Sequence, residues 1–550
     1  MRRRIVTGAL TALALVLTSC GDDDGETGSA STAGDTAVTP ESPAVADTSA
    51  PSESPPADTG AGSTPSTDHS DAGDVELDPD GVFRFADSLP ISFLDPHKAT
   101  GGGFNVWLFP VYDRLFHITP DGELIPGLAT EWSYSDDGTV LSLTLREGVQ
   151  FHDGTPFDAD AVKANLDRAR TAEESAVKST LAVISDVRVV DPTHVELILT
   201  RPDGTLPYVL SERAGAIASP AAFDRLELEP VGTGMYRVTA FQPETSATYV
   251  RNEDYWDPDA VGAARMEFQT ILDNAQRANA LISGQIDATM VDASEVQRVR
   301  EAGLNVDSST NYQFFHLQLN RSRPGLDDTR VRQALNHAID RDGIVSALLH
   351  GLGEPGQQPF PPGTPGYSDE LGENRYPYDP DKARQLLAEA GATDLSFEIM
   401  TLNIPLYAQV SEAVQAQLAD VGVTTTIQQV PSVSQTFYAD QVGDSAVVPS
   451  FGALDPALLA QTLYSEESFS NPGRHSTPEV MALIEQALTT TDPDERVPIL
   501  KDLTTAITEE ALDVVLYFPH TNLAYSDDVV GYQNWITARL EFRGVGMRAD

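Results

Sequence analysis

Cysteine occurs once in the 550 residues, at position 20, so no intramolecular disulfide can brace the fold. Basic residues are scarce: 35 Lys and Arg stand against 83 Asp and Glu, and only five of the 35 are lysine, a bias that reflects codon usage rather than function. The formal charge of −48 divides into +3 over residues 1–20, −15 over residues 21–80 and −36 over the remainder. So acidic a body repels nucleic acid and anionic lipid head groups, which excludes both as partners. There is no G-x-x-x-x-G-K-[ST] run and no G-x-S-x-G, and the ten histidines include no H-E-x-x-H. Gly351-Leu352-Gly353-Glu354-Pro355-Gly356 fits G-x-G-x-x-G, but a helical stretch ending near His350 precedes it and the proline-rich Gln357–Gly363 follows. A dinucleotide site needs a strand before and a helix after. The carboxylates are so many that no glycosidase-like pair stands out. No enzyme and no cofactor are expected.

The N-terminus sets the compartment. Arg2, Arg3 and Arg4 precede an apolar run from Ile5 to Leu17, shorter than the roughly 20 residues that span a bilayer, so residues 1–19 read as a secretory signal. Leu17-Thr18-Ser19-Cys20 resembles the lipobox of bacterial lipoproteins. Cleavage there leaves Cys20 first, with a diacylglycerol on its thiol and membrane affinity of about 0.8 kcal/mol per buried methylene. From Gly21 to Asp74 the chain is Ser, Thr, Pro, Ala, Gly, Asp and Glu, interrupted only by Val38, Val45 and His69. Nothing there can form a core, and residues 20–80 read as a disordered acidic tether. Within it Gly21-Asp22-Asp23-Asp24 and Asp78-Pro79-Asp80-Gly81 are spacers rather than metal loops, since neither has a flanking helix.

The rest is longer than one core normally serves, so more than one lobe is expected. Leu141, Leu143 and Leu145 alternate with polar residues, as do Val195, Leu197 and Leu199, which marks strands with one dry face. Asp158 can cap a helix whose Val162, Leu166 and Ala169 share a face, and Val331, Ala334, Leu335, Ala338 and Ile339 mark another behind Asp327-Asp328. Asp379-Pro380 opens a third, with Ala383, Leu386, Leu387 and Ala390 apolar and Gly391 placed to end it. The mixture is that of an α/β protein.

Several longer runs carry a family resemblance. Leu94-Asp95-Pro96, Val111-Tyr112-Asp113-Arg114-Leu115, Pro126 to Trp132, and Leu145 to Phe157 (LREGVQFHDGTPF) are followed by Val231 to Tyr236, Arg251 to Trp256, Asp328 to Leu335 with Ala338 to Arg341, and Pro377 to Gly391. Over roughly residues 82–545 the chain resembles the family 5 extracellular solute-binding proteins, the oligopeptide-, dipeptide- and nickel-binding components of ABC importers. The resemblance implies a two-lobed, periplasmic-binding-protein-like clamp of type II, cluster C style, with an extra subdomain near 110–215 in a first lobe of residues 81–272. A second lobe follows over 273–515 and the chain returns to the first over 516–550, crossing near 270–275 and 515–520. It further implies a monomer on the extracytoplasmic face of the membrane, which captures a peptide, sugar or metal chelate between its lobes and delivers it to permease and ATPase subunits. A sensory or adhesive lipoprotein and an exported hydrolase are the alternatives. Most of the matched residues serve the fold, and Arg332 and Asp340 read as helix-surface or interlobe pairs.

In peptide-binding members of the family an aspartate shortly before an Asp-Pro pair anchors the ligand's α-amino group. Here the stretch is Ser450-Phe451-Gly452-Ala453-Leu454-Asp455-Pro456, and the anchoring position falls on Gly452 or Ala453. Neither can pair with an ammonium, and Asp455 reads as a helix cap. The resemblance therefore points for ligand contacts to Gly452 and to aromatic residues in cleft-facing regions: Phe104, Trp107, Phe360, Tyr367, Tyr407 and Phe451, with Asn320 offering an amide at the lobe interface. His316 and His337 read as structural, and His475 is the single histidine singled out as a possible metal ligand.

Overall fold

The computed structural model describes residues 75–549 apart from Gly101 and Glu373; the signal segment, Cys20 and the tether up to residue 74 lie outside the described residues. The two-residue period does what it predicts in Val140–Leu145, where Leu141, Leu143 and Leu145 are buried and their neighbours half exposed. This strand joins Ala129–Tyr134, His194–Leu199 and Ile184–Asp191 in a four-stranded antiparallel sheet. The helix Ala159–Thr171 covers it, burying Val162, Leu166 and Ala169, and Asp158 caps the helix by accepting from the Ala161 N–H at 3.0 Å. The unit has its own apolar core, running from Leu115 to Ile217.

It is inserted into a first lobe built on a seven-stranded sheet, in the order Asn305–Ser309, Thr521–Tyr525, Ala288–Met290, Val82–Asp87, Arg265–Thr270, Ser246–Arg251, Tyr236–Gln242. Phe83, Phe85, Trp107, Tyr249 and Phe268 fill its core. The second lobe is built on a six-stranded sheet, in the order Gly353–Pro355, Asp513–Pro519, Phe314–Leu319, Ser445–Ser450, Ser396–Leu402, Thr424–Val430. Helices Thr329–His337, Arg341–Leu348, Pro380–Glu389 and Pro405–Asp420 pack against it. Asp328 and Asp379 cap two of them, and Gly391 takes φ 70° just past the second. The G-x-G-x-x-G match falls on the short edge strand Gly353–Pro355.

Three readings change here. The first crossing lies at residues 310–313, not near 270–275, because Ala288–Met290 pairs with Val82–Asp87 and Asn305–Ser309 pairs with Thr521–Tyr525, which keeps both in the first sheet. Alternation marks a strand but not its partner. The second crossing is His520, between Asp513–Pro519 and Thr521–Tyr525. The fold also starts before residue 81, since Leu77 bridges Arg548 and the Asp78 N–H donates to the Met547 carbonyl at 2.8 Å. Arg332 is not on a surface. It is 2 % exposed and donates to the carbonyls of Leu326, Asp327, Glu510 and Ala511, while Asp340 caps its own helix through the Gly343 N–H.

Buried charge ties the C-terminal segment to the first lobe. Arg114 donates to both oxygens of Glu541 at 2.7 and 2.9 Å and stacks on Phe109. Asp113 accepts from the Tyr255 hydroxyl and the Trp256 indole, both at 2.8 Å; burial works against its charge, but His117, the Arg543 charge and the Trp256 indole together hold its carboxyl below the usual range. His117 stands 3.3 Å away, and burial together with the Arg114 charge pushes it down to about 4, which keeps it neutral at pH 7.

Candidate functional site

Strand direction locates the site. In the first sheet Val82–Asp87 runs parallel to Arg265–Thr270 and Ala288–Met290. Met290 lies opposite Leu523 and Ser309 opposite Thr521, so the carboxyl ends of all these strands share the edge from which the chain crosses at 310–313 and returns after His520. In the second sheet Phe314 lies opposite Ser450, and Ser396–Leu402 runs parallel to Ser445–Ser450 and Thr424–Val430. Their carboxyl ends therefore also lie at the crossing edge. Both lobes turn the ends of their parallel strands toward one hinge, the position at which open α/β sheets bind ligands.

The surface at those ends is unusual. Leu89, Leu272, Ile404 and Phe451 are exposed large apolar residues, Leu272 and Phe451 by 68 % and 67 %, and each follows a carboxyl end by one or two residues. Asp87 closes the first-lobe strand: it accepts from the Trp107 indole at 2.8 Å and from the Ser88 N–H at 2.6 Å, and burial lifts its carboxyl to about 6. The hinge itself is pinned by the Tyr312 N–H donating to the Ile536 carbonyl at 2.7 Å.

The sequence-derived candidates separate against this geometry. Phe451 and Gly452 lie directly at the hinge edge. Gly452 takes φ 65°, and a Cβ there would stand 2.6 Å from the Tyr312 carbonyl oxygen. An aspartate cannot occupy this position without moving the hinge; Ala453, the other residue on which the anchoring position can fall, comes next in the chain. Tyr407, half-buried at the start of Pro405–Asp420, meets Phe315 edge-on near the same edge. Phe104 is half-buried and packs on the first-lobe core beside Asn105. Trp107 is fully buried within that core, and Phe360 is buried among second-lobe helices. Asn320 is a correction: it follows Phe314–Leu319 at the end away from the hinge and donates to the Gly443 carbonyl at 3.1 Å, so it offers nothing at the lobe interface. His475 belongs to that far end too, its carbonyl accepting from Arg321, which places it outside the reach of the crevice. Asp455 caps Pro456–Tyr464 and forms a buried two-bond pair with Arg496.

Sequence reasoning missed one charged group. Arg213 follows the short helix Leu206–Val209, whose Tyr208 lies within electrostatic range of Tyr312 and Asp455. The Nε and Nη1 atoms of Arg213 are buried without a hydrogen-bond partner, and burial lowers its pKa. The adjacent Glu212 does not serve it: that carboxylate is taken by Asn105 Nδ2 at 2.8 Å and Arg539 Nη1 at 2.6 Å. Asn105 is fully buried and its Oδ1 is also unpartnered. Buried polar groups are normally satisfied, and this corner of the first lobe leaves two donors and one acceptor without a protein partner. Local sequence gave no signal, because pairing is decided between segments more than 100 residues apart.

Two lobes joined by two crossing segments, with exposed apolar residues just past the strand ends at the hinge, have the architecture of a solute-binding clamp. The chain belongs to the bacterial extracellular solute-binding proteins, family 5, whose model matches residues 123–465. Among curated relatives, the glutathione-binding protein GsiB of Escherichia coli K12 is 29% identical over 465 residues, 80% of this chain and 90% of the relative. Among solved structures, the periplasmic binding protein DppA from Helicobacter pylori, in complex with the peptide STSA, aligns with TM-score 0.71 and 25% identity over 85% of this chain and 98% of that one. NikA from Brucella suis, in complex with Fe(III)-EDTA, aligns with TM-score 0.76 and 25% identity over 85% of this chain and all of that one.

Proposed function

We propose that this protein captures a small solute bearing a carboxylate between its lobes and presents it to the permease of an ABC importer, without chemistry on the solute. It does so from the extracytoplasmic face of the membrane, held there by the lipid on Cys20. Two donors of the half-buried Arg213, Nε and Nη1, are buried without a protein partner and carry this reading, since a planar cation with free donors matches a carboxylate in a two-bond geometry. Glutathione, a peptide and EDTA, which the relatives' names record, all carry carboxylates. Gly452 argues against recognition of a free amine in the manner of the peptide-binding members. Phe451, Tyr407 and Leu272 would cover the apolar part of the solute, with Phe104 behind them.

Thermal unfolding in the presence of glutathione, a tetrapeptide, its C-terminal amide, its N-acetyl form, a nickel–histidine complex and a neutral sugar tests this. A ligand at 100 times its Kd stabilises by about 2.7 kcal/mol. A carboxylate-bearing solute should raise the transition whether or not its amine is blocked, and amidation should abolish the shift. Arg213→Ala should weaken binding about 10- to 100-fold, the range of a charge-assisted bond. A shift given by the sugar alone, or an Arg213→Ala protein that binds as the parent does, would sink the carboxylate reading.

A further inference from the structure

The lobes also touch outside the two hinge segments. The Gly204 N–H, in the loop after the subdomain strand His194–Leu199, donates to the second-lobe Leu488 carbonyl at 2.8 Å. A Cβ on Gly204 would lie 2.0 Å from the Thr490 carbonyl oxygen, and no left-handed φ requires glycine here. The residue is therefore small for close approach and not for backbone freedom. Its loop is held rigid: the Asp203 carboxylate accepts from the Thr205 N–H at 2.9 Å and hydroxyl at 2.6 Å, and the Tyr134 hydroxyl donates to the Asp203 carbonyl at 2.5 Å. Beside it, the subdomain turn at Gly138 is approached by both Pro202 and second-lobe Thr491, at 2.9 and 3.5 Å from a Cβ built there. Leu458 from the second lobe completes the contact by packing on the subdomain core.

The contact is weak by construction. It has one main-chain bond, an Arg201 Nη1 that is buried without a hydrogen-bond partner, and a loose 4.0 Å approach of that atom to Glu485. A buried donor left unmet opposes the contact it sits in. We propose that the loop 201–205 and the corner 488–491 form a catch which holds the clamp shut and parts whenever the lobes separate. Such a contact biases the open–closed equilibrium without touching the solute. The inference does not depend on what the solute is.

The test uses the full chain with Cys20→Ser, so that Pro202→Cys and Thr491→Cys are the only thiols. A short bis-maleimide should link them rapidly. Small-angle scattering of the linked protein should report a single compact form, and the unlinked protein a broader mixture. Gly204→Leu should slow linking about tenfold or more, equivalent to about 1.4 kcal/mol against the closed state, and shift scattering toward the extended form, with near-UV circular dichroism reporting that each lobe is folded. Identical scattering before and after linking would mean that the contact never opens and would overturn the proposal even if the Gly204 variant does not fold. Equal linking rates in the parent and a folded Gly204→Leu protein would overturn it as well.

Discussion

Gly452 bends the second-lobe edge around Tyr312, and two separate conditions keep it glycine. Its φ of 65° costs other L residues roughly 1–2 kcal/mol, and the Tyr312 carbonyl leaves no room for a Cβ. Installing the aspartate that peptide-binding members carry should therefore fail as a change of specificity. Gly452→Asp is expected to destabilise by more than about 1 kcal/mol in urea unfolding and to gain no affinity for free-amine peptides in calorimetric titration. A variant as stable as the parent that binds them would contradict the strain. The sequence shows Gly452 and Ala453 where an anchoring aspartate would be expected, but not the contact that holds Gly452, since Tyr312 is 140 positions away. Asp455 shows the opposite: an aspartate before Pro456 caps the following helix through local bonds, which the dipeptide already implies. Trp107 and Phe360 carried no local mark to distinguish a core aromatic from a crevice one.

At the scale of elements, caps and strand faces were readable because they depend on neighbours within four residues. The crossing point was not, since Ala288–Met290 and Asn305–Ser309 are defined by pairing partners far along the chain. Asn320 was misplaced for the same reason, as a strand's direction relative to the hinge is a property of the sheet. Three histidines lie where the subdomain and its flanking segments meet the rest of the first lobe. His97 faces the Ala216 carbonyl, His152 the Gly234 carbonyl and His117 stands beside Asp113. Burial pushes each down to about 4. Between the unfolded value near 6.5 and about 4 the unfolded chain binds protons that the folded one refuses, so stability is full above that window and falls on acidification. Asp87, raised to about 6 by burial, has the opposite sign and offsets about one histidine. Urea unfolding should lose up to about 3 kcal/mol per pH unit across the window. A stability independent of pH between 6.5 and 4.5 would refute neutral histidines at this seam.

For the whole molecule, the proposed attachment is a matter of one thiol and its acyl chains. With Cys20→Ser the protein should move from the membrane fraction to the soluble fraction of its host. Membrane retention equal to the parent's would rule out the lipid as anchor. The sequence by itself determined the acidic character, the α/β mixture and the family, since composition, short-range periodicity and contiguous motifs carry those directly. Only the tertiary structure decided where the chain crosses, that Gly452 is wedged against Tyr312, that Arg213 is left unpaired while Glu212 is shared by Asn105 and Arg539, and that Gly204 meets Thr490. Each of these is a contact between segments far apart in the chain, fixed by which strands pair and in which direction, and no local pattern of residues encodes that choice.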